Sequence, residues 1–275
     1  MNRGFVFKTT GASHINEAAF SASRIKDIMP NVGVSLITDQ DVEVDVFDTV
    51  IHCDSLQKNY SNKILRPEQI PYQKNVFLDT DTYVYEPVPE LFEVLDQYDV
   101  SATICNSRTK IPDMPDAFRE YNSGVYAFRK SQQTKSFFQL WEEKYWDWNG
   151  SRNIEEDQPS FTYSMHNSDV EFCPLPREYN CFAHSIGYLG TNAKILHGRP
   201  QKTLEDAGAY INKYPKNSKR IFYSYPKMLG GKGVKMFCIP ASDKDQGSLS
   251  RLGSAIKQNG IMYTVRNAYH EFVRT

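Results

Sequence analysis

The stretch Lys74-Asn75-Val76-Phe77-Leu78-Asp79-Thr80-Asp81-Thr82-Tyr83-Val84 decides the fold. Its residues 76–78 form a short apolar run, which is typical of a strand buried on both faces of a sheet. Asp79 and Asp81 follow, and residues two apart in a strand point to the same side. Two carboxylates at the end of a buried strand are costly to desolvate unless a cation neutralises them. A divalent metal ion with oxygen ligands fits this pair, and an ordinary acidic turn is the alternative.

The chain before this stretch predicts a β-α-β unit. A strand is expected at residues 4–9, a helix at about 14–29 with Ser13 as its cap, and a second strand at 32–37. Polar residues follow both strands, and ligands of open α/β sheets bind outside the carboxyl ends of the strands. Ordinary turns would look similar. The candidate nucleotide contacts at these strand ends are Thr9, Thr10, Gly11 and Asp39.

Helices and strands continue to alternate after the acidic pair, which predicts an α/β fold. Ser131 is the predicted cap of a helix with large aromatic residues at helical spacing. These aromatic residues are interpreted as core or as the wall of an acceptor cleft. The other predicted elements are a helix at 87–98, a strand at 100–104, a strand within 118–128, a helix ending at 165, and strands at 170–176 and 193–196.

The 275 residues are enough for one large domain or one domain with an appendage. Charge is distributed unevenly along them. The net charge of -1 divides into about -9 for residues 1–199 and about +8 for residues 200–275. The basic part is interpreted as a solvated surface, or as a contact for anionic lipids, an anionic acceptor or the acidic body. We expect no nucleic-acid partner.

Targeting signals are not evident in the sequence. The first residues lack the long apolar core of a signal peptide, and no window is apolar enough to span a bilayer. The five cysteines lack CxxC spacing, so neither a disulfide framework nor a zinc site is indicated. We therefore expect a reducing, cytoplasmic setting.

Four separated motifs occur in one order: Asp79-Thr80-Asp81 after an apolar strand, Asn122-Ser123-Gly124 on a later strand, Asp157-Gln158 opening a helix, and His197-Gly198 after a short strand. Together they resemble a nucleotide-sugar-dependent glycosyltransferase of the GT-A fold, over about residues 4–200. The chain looks most like the glycogenin and bacterial galactosyltransferase-like group, which is retaining and metal-dependent.

The resemblance implies a division of the chain. Residues 1–200 would form the GT-A domain, a Rossmann-like mixed sheet flanked by helices that binds the nucleotide-sugar and carries the catalytic site. Residues 201–275 match nothing in the family and are expected to form a small, basic α/β extension packing on that domain, with strands at 220–225 and 234–239 followed by helices. We expect it to complete the acceptor site or to mediate homo-oligomerisation.

The resemblance also implies the metal ligands and the donor contacts. Asp81 would bind Mn²⁺ or Mg²⁺ most directly, Asp79 would contact the metal, the ribose or the donor sugar, and His197 would supply the third ligand. A capped strand end is the alternative for this histidine. The donor contacts implied by the motifs are Asp79, Thr80, Asn122, Ser123 and Gly124.

Basic residues would bind the diphosphate of the donor, and acidic residues would act on the acceptor hydroxyl. Candidates for binding the diphosphate are Lys63, Arg199 and Lys202, each of which also reads as a surface charge. The family's usual His-Phe-x-Gly-x-x-Lys-Pro signature is replaced here by His197-Gly198-Arg199-Pro200, which leaves the phosphate-binding base and the retaining outcome open. Asp157 or Glu156 would orient the acceptor hydroxyl, or act as its base in an inverting enzyme, and Gln158 would lie near the anomeric carbon.

The expected function is transfer of a sugar from a nucleotide-diphosphate sugar to a hydroxyl group of a glycan, a lipid-linked glycan or a protein. A UDP-sugar is favoured as donor over a GDP- or dTDP-sugar. One alternative is a haloacid-dehalogenase-type phosphatase, which also has a strand followed by DxD but normally carries Thr or Val where Tyr83 stands. The other is a catalytically inactive GT-A-like module that binds a nucleotide-sugar.

Overall fold

The described elements form one large and two small sheets with helices around them. The computed structural model describes residues 2–42, 44–57, 59–105, 110–182, 187–199, 201–213, 219–224 and 234–239. Its strands are β1 (Arg3–Lys8), β2 (Gly33–Thr38), β3 (Thr49–His52), β4 (Lys74–Leu78), β5 (Thr82–Val84), β6 (Val100–Ile104), β7 (Tyr121–Arg129), β8 (Phe172–Leu175), β9 (Cys181–Phe182), β10 (Gly187–Leu189), β11 (Ile195–His197), β12 (Lys219–Ser224) and β13 (Val234–Ile239). Its helices are α1 (Ala12–Ile28), α2 (Glu90–Glu93), α3 (Gln132–Arg152), α4 (Gln158–Asn167) and α5 (Leu204–Asn212).

The central sheet is mixed, as expected, with seven strands in the order β3-β2-β1-β4-β7-β6-β8. Strands β3, β2, β1 and β4 run parallel, so their carboxyl ends lie at one edge. Strand β7 runs antiparallel to β4, with Leu78 opposite Val125. The beginning of β7 therefore lies at the same edge as the end of β4, which brings residues 122–124 beside the acidic motif.

Apolar side chains cover both faces of this sheet. Phe5 and Phe7 of β1 pack with α1 and α2 on one face, whereas Val6 packs on the opposite face, where α3 and α4 lie. The aromatic residues at helical spacing in α3 are core rather than the wall of a cleft: Trp141, for example, is fully buried with its ring centroid 4.7 Å from that of Phe161 in α4. Burying one such side chain contributes about 1.5–3 kcal/mol to folding.

The predicted helix ends agree with the structure for the start of α3 but not for α1 and α2. Helix α3 begins as predicted, because Ser131 and Thr134 form a reciprocal capping box. The prediction for α1 is wrong: it begins at Ala12, and Gly11, with φ 84°, is its N-cap instead of Ser13. A positive φ costs glycine little, so the chain turns into the helix two residues early. Helix α2 is also shorter than the predicted helix at 87–98, with a 3-10 turn following it.

Tyr72 is clamped between two glycines just before β4. A Cβ atom on Gly4 or on Gly33 would lie closer than 3.0 Å to its ring. The hydroxyl of Ser35 donates a hydrogen bond of 2.8 Å to the Tyr72 hydroxyl. Strands β1 and β2 therefore hold the residue that leads into β4, on the side of the sheet remote from the acidic motif.

Two small sheets complete the described structure, β5-β11-β9 and β10-β12-β13. Helix α5 packs on the first of them, since a Cβ on Gly208 would meet the ring of Tyr85. The predicted strands of the C-terminal extension are confirmed as β12 and β13, with β12 pairing to β10. The helices predicted beyond residue 240 lie outside the described residues, and the division at residue 200 stays a prediction. No helix of the described ranges is both long and apolar enough to cross a membrane.

Candidate functional site

Asp79, Asp81 and His197 converge at the carboxyl edge of the central sheet. The Nε2 atom of His197 lies 3.3 Å from Asp81 Oδ1 and 3.6 Å from Asp79 Oδ2. One ligand atom from each of the three residues lies within 4.8 Å of the others. Two carboxylates and an imidazole at this separation form a donor set that one divalent cation can share.

The turn after β4 sets the positions of the two aspartates. The prediction that both extend a strand is wrong, because β4 ends at Leu78 and residues 79–81 form a turn. The backbone N–H of Thr82 donates to the carbonyl of Asp79 at 3.2 Å, and the N–H of Asp79 donates to the carbonyl of Gly124 at 2.7 Å. The turn starts where the ladder between β4 and β7 ends, and it still directs both carboxylates to one site.

Pairing between β5 and β11 brings the histidine to this turn. Thr82 lies opposite His197 in the antiparallel ladder, and the N–H of Gly198 donates to the carbonyl of Asp81 at 2.9 Å. His197 is 5% exposed. The spacing between Asp81 and His197 is therefore fixed by backbone pairing rather than by a loop.

Gly124 leaves the space in which the three side chains meet. A Cβ atom at this position would lie 2.5 Å from Asp79 Oδ2 and still closer to the imidazole of His197. Real Cβ contacts are essentially never this short. The glycine of the Asn122-Ser123-Gly124 motif is thus required by the close approach of the two candidate ligands.

Two basic residues neutralise the aspartates. Lys63 Nζ lies 2.8 Å from Asp79 Oδ2 and 3.8 Å from Asp157 Oδ1. Burial favours the neutral amine, but the charges of Asp157 and Asp79 outweigh it and raise the pKa of Lys63. Arg199 lies 3.2 Å from Asp81 Oδ2. Burial likewise opposes ionisation of Asp81, yet the neighbouring His197 and the charge of Arg199 lower its pKa to about 2.

Glu17, which was not predicted, joins Arg199 to the acidic turn. Arg199 donates two hydrogen bonds of 3.0 Å to its carboxylate, and the Thr80 hydroxyl donates one of 2.8 Å. This arginine is half-exposed, with 52% of its side chain accessible. The signal for Glu17 is its place in the second turn of α1, which starts at the same edge of the sheet.

Asp157 and Gln158 lie at the start of α4, and both reach the site. Asp157 is 1% exposed, so burial raises the pKa of its carboxyl, and the nearby Lys63 charge offsets this only in part. The side-chain amide of Asn122 donates to Gln158 Oε1 at 2.6 Å. Glu156, the third predicted catalytic residue, is exposed.

The remaining predicted contacts divide into two groups. Thr10 donates from its hydroxyl to both carboxylate oxygens of Asp39, at 2.6 and 2.8 Å, so the ends of β1 and β2 are in contact, and their role in nucleotide binding stays a prediction. Thr9 is buried and Gly11 caps α1 beside them. Ser123 is buried within β7. The side chain of Lys202 lies outside the described part of the chain.

Asn180, another residue that was not predicted, contacts the histidine. Its Oδ1 atom lies 3.0 Å from His197 Nδ1, and its Nδ2 atom donates to Asn122 Oδ1 at 2.7 Å. It is 1% exposed. It sits in an irregular segment before β9, where no periodicity or motif spacing marks it.

The segment that carries the site matches a known family. Residues 74–197 match the family model of the nucleotide-diphospho-sugar transferases. The match begins at β4 and ends at His197, so it contains all three candidate metal ligands. The resemblance to enzymes that transfer a sugar from a nucleotide-sugar is thereby confirmed for this segment of the chain. No curated protein sequence matches the chain significantly.

Solved structures confirm the GT-A fold. The glycosyltransferase GlyE of Streptococcus pneumoniae TIGR4 has a TM-score of 0.50 and 17% identity, over 75% of this chain and 60% of its own. The galactosyltransferase LgtC, in complex with donor and acceptor sugar analogues, has a TM-score of 0.51 and 12% identity, over 77% of this chain and 97% of its own. The chain thus spans about three fifths of the length of GlyE.

Proposed function

We propose that the protein is a metal-dependent glycosyltransferase that moves a sugar from a nucleotide-diphosphate sugar to an acceptor hydroxyl, with retention of the anomeric configuration. The observation that carries this proposal is the convergence of Asp79, Asp81 and His197 beside Lys63 and Arg199. It lies at the edge of an α/β sheet where ligands ordinarily bind.

The donor set fits Mn²⁺ or Mg²⁺. Two carboxylates and one imidazole face each other across the space that Gly124 leaves open. The two carboxylates suit hard divalent cations such as Mn²⁺ and Mg²⁺, and the imidazole adds a nitrogen ligand. A cation held by these residues would supply positive charge against the diphosphate of the departing nucleotide.

Basic residues of this chain would stabilise the same leaving group. Lys63 and Arg199 already neutralise Asp79 and Asp81. A cation bound by the two aspartates would share their negative charge, which leaves both side chains able to pair with phosphate oxygens. Arg199 is the more accessible of the two and can bind phosphate in a bidentate way. Lys202 remains a third candidate.

Residues at the start of α4 would act at the sugar. Asp157 is buried beside Lys63 and is suited to accept a hydrogen bond from a sugar hydroxyl. Gln158, held by Asn122, is assigned to the anomeric centre. Glu156 is exposed, which favours Asp157 over it as the group that orients the acceptor hydroxyl.

The nucleoside would bind at the ends of β1 and β2. Thr10 and Asp39 are in contact there, with Thr9 and Gly11 beside them. A UDP-sugar is the favoured donor. We assign the acceptor to the glycan, lipid-linked glycan or protein class and the location to the cytoplasm, with the basic C-terminal extension as a surface for an anionic acceptor, a membrane or a second copy of the chain.

Isothermal titration tests the proposal directly. UDP-, GDP- and dTDP-sugars are titrated with and without Mn²⁺, and slow donor hydrolysis is followed in parallel. We expect binding to need the metal, and Asp81→Asn to weaken it sharply. Asp96→Asn, which changes a surface carboxylate paired with Lys74, is the matched control. Undiminished metal-dependent binding by Asp81→Asn would contradict the assignment of the site.

Two other results would favour the alternatives. Metal-dependent donor binding without hydrolysis or transfer would indicate an inactive nucleotide-sugar-binding module. Release of phosphate from simple phosphate esters, with no binding of nucleotide-sugars, would indicate the phosphatase. The match of residues 74–197 to the nucleotide-diphospho-sugar transferases supports the transferase over the phosphatase, and the intact set of Asp79, Asp81 and His197 supports it over the inactive module.

A further inference from the structure

A chain of side-chain amides connects Gln158 to His197. Asn122 Nδ2 donates to Gln158 Oε1 at 2.6 Å, and Asn180 Nδ2 donates to Asn122 Oδ1 at 2.7 Å. Asn180 Oδ1 then lies 3.0 Å from His197 Nδ1. The chain ends on the imidazole whose other nitrogen, Nε2, faces Asp79 and Asp81.

One backbone group fixes the direction of every hydrogen bond in this chain. The oxygen and nitrogen of an asparagine amide are hard to tell apart by position, so their assignment depends on their partners. The N–H of Gly124 lies 3.0 Å from Asn122 Oδ1 and can only donate. The oxygen of Asn122 must therefore face Gly124 and Asn180, which obliges Asn180 to present its NH₂ to Asn122 and its oxygen to His197.

The oxygen of Asn180 selects the tautomer of His197. A carbonyl oxygen beside Nδ1 requires that nitrogen to carry a proton, and in the neutral imidazole this leaves Nε2 with its lone pair. The two carboxylates at 3.3 and 3.6 Å from Nε2 favour the opposite tautomer, with the proton on Nε2. An imidazole protonated there cannot bind a cation. Asn180 counteracts this effect of the carboxylates.

We propose that Asn180 is a positioning residue that holds His197 in its Nδ1–H tautomer and orients the imidazole so that Nε2 binds the cation. The proposal rests on the proposed function for the identity of the ligand, a divalent cation. It adds that Gly124 contributes twice to the site, through its missing side chain and through the N–H that directs the amide chain.

Two measurements on the metal-free and Mn²⁺-loaded protein test this role. Imidazole ¹⁵N spectra of the metal-free protein at mildly alkaline pH report which nitrogen of His197 carries the proton, with His197→Gln used for assignment. Titration with Mn²⁺ alone, followed by electron paramagnetic resonance, reports affinity without donor or turnover. We expect Nδ1–H in the parent protein and an about 10–100-fold weaker Mn²⁺ affinity in Asn180→Ala, with the proton moved to Nε2.

Asn212→Ala is the matched control. The Asn212 amide also makes two hydrogen bonds, at 2.9 and 2.8 Å, but to the backbone of Ala193 away from the site. We expect it to leave both the tautomer and Mn²⁺ affinity unchanged. Equal losses in Asn180→Ala and Asn212→Ala would show a general structural effect and overturn the proposal.

Asn180→Asp separates the two ends of the amide. It keeps an oxygen opposite His197 Nδ1 and removes the donor to Asn122, so we expect Nδ1–H and Mn²⁺ binding to be retained, even where Asn180→Ala does not fold. Loss of both in Asn180→Asp would overturn the proposal, as would a parent protein with the proton on Nε2. A parent protein that shows Nδ1–H but binds no Mn²⁺ would instead refute the metal-dependent function and leave the tautomer assignment standing.

Discussion

Replacing Gly124 by alanine tests whether the three candidate ligands share one small space. The new Cβ atom would lie 2.5 Å from Asp79 Oδ2 and closer still to the His197 ring. Neither strand at this point can move easily, because the Gly124 carbonyl accepts a 2.7 Å hydrogen bond from the Asp79 N–H. The side chains of the two ligands must therefore move apart.

The size of the effect follows from these contacts. Ordinary carbon contacts lie at about 3.5–4.0 Å, so each ligand has to shift by roughly 1 Å. Metal–ligand distances tolerate only about 0.2 Å. We expect Mn²⁺ affinity to fall at least as far as the about 10–100-fold that follows loss of a hydrogen-bond partner of a ligand. Overpacking should lower the free energy of unfolding by about 1–3 kcal/mol.

Two glycine variants separate these effects. Gly150 lies in α3 with open space around its Cβ position, so Gly150→Ala should leave Mn²⁺ affinity unchanged and slightly stabilise the protein. Gly33→Ala forces a similar clash, but against Tyr72, and should destabilise the protein without weakening Mn²⁺ binding. Titration with Mn²⁺ and urea unfolding measure both quantities for each variant.

The refuting result is specific. If Gly124→Ala folds and binds Mn²⁺ as tightly as the parent protein, then Asp79 and His197 do not act together on one cation. If Gly33→Ala weakens Mn²⁺ binding as much as Gly124→Ala, the loss reflects general destabilisation instead of the geometry of the site.

Three further predictions concern charge and helix capping. Burial lowers the pKa of Lys8 to about 8, whereas an unfolded lysine titrates near 10.4, so the unfolded state binds more protons between these pH values. The free energy of unfolding of the parent protein, relative to that of Lys8→Met, should therefore rise as the pH increases from about 8 to about 10.4. Urea unfolding measures this difference, and a difference that does not change with pH would contradict the lowered pKa. Lys63→Met removes the positive charge beside the buried Asp157 and should lower the free energy of unfolding by about 3–5 kcal/mol. Adding Asp157→Asn to the same chain should restore part of this loss, and strictly additive effects in the double mutant would show that the two residues are not coupled. Ser131→Ala breaks the capping box of α3 and should lower the free energy of unfolding by about 0.5–2 kcal/mol. Ser13→Ala should change thermal stability little, and an equal loss in both variants would show that Ser13 caps α1 after all.

Much of the fold and the acidic centre of the site could be predicted from local sequence patterns. The apolar run before Asp79 predicts a buried strand, and the alternation of helices and strands predicts the α/β fold that the structure has, whereas the mixed sheet was implied by the family resemblance. Thr10 and Asp39 were both placed at strand ends where ligands of such sheets bind, and in the structure they are in hydrogen-bond contact. These features depend on neighbours in sequence or on a general rule of topology.

Contacts between distant segments that no family motif marks were not predicted. No spacing marks Asn180, and the place of Glu17 in α1 does not show its partners, because both contacts depend on how β11 and α1 approach the acidic turn. The cap of α1 was misplaced because Ser13 is a good capping residue, yet the positive φ of Gly11 starts the helix earlier. The pairing of Asp79 and Asp81 was predicted for the wrong reason, since a turn and not a strand directs them.

The pairing of β5 with β11 has a thermodynamic consequence. Asp81 and His197 are far apart in sequence, and joining such segments carries a loop-closure entropy cost. Pairing of β5 with β11 offsets that entropy cost during folding, so binding of a cation does not have to bring the segments that carry Asp81 and His197 together. Binding should then be fast and accompanied by little change in heat capacity. Its effect on the melting temperature should follow simple mass action, about 2.7 kcal/mol of added stability at a free cation concentration 100 times the Kd.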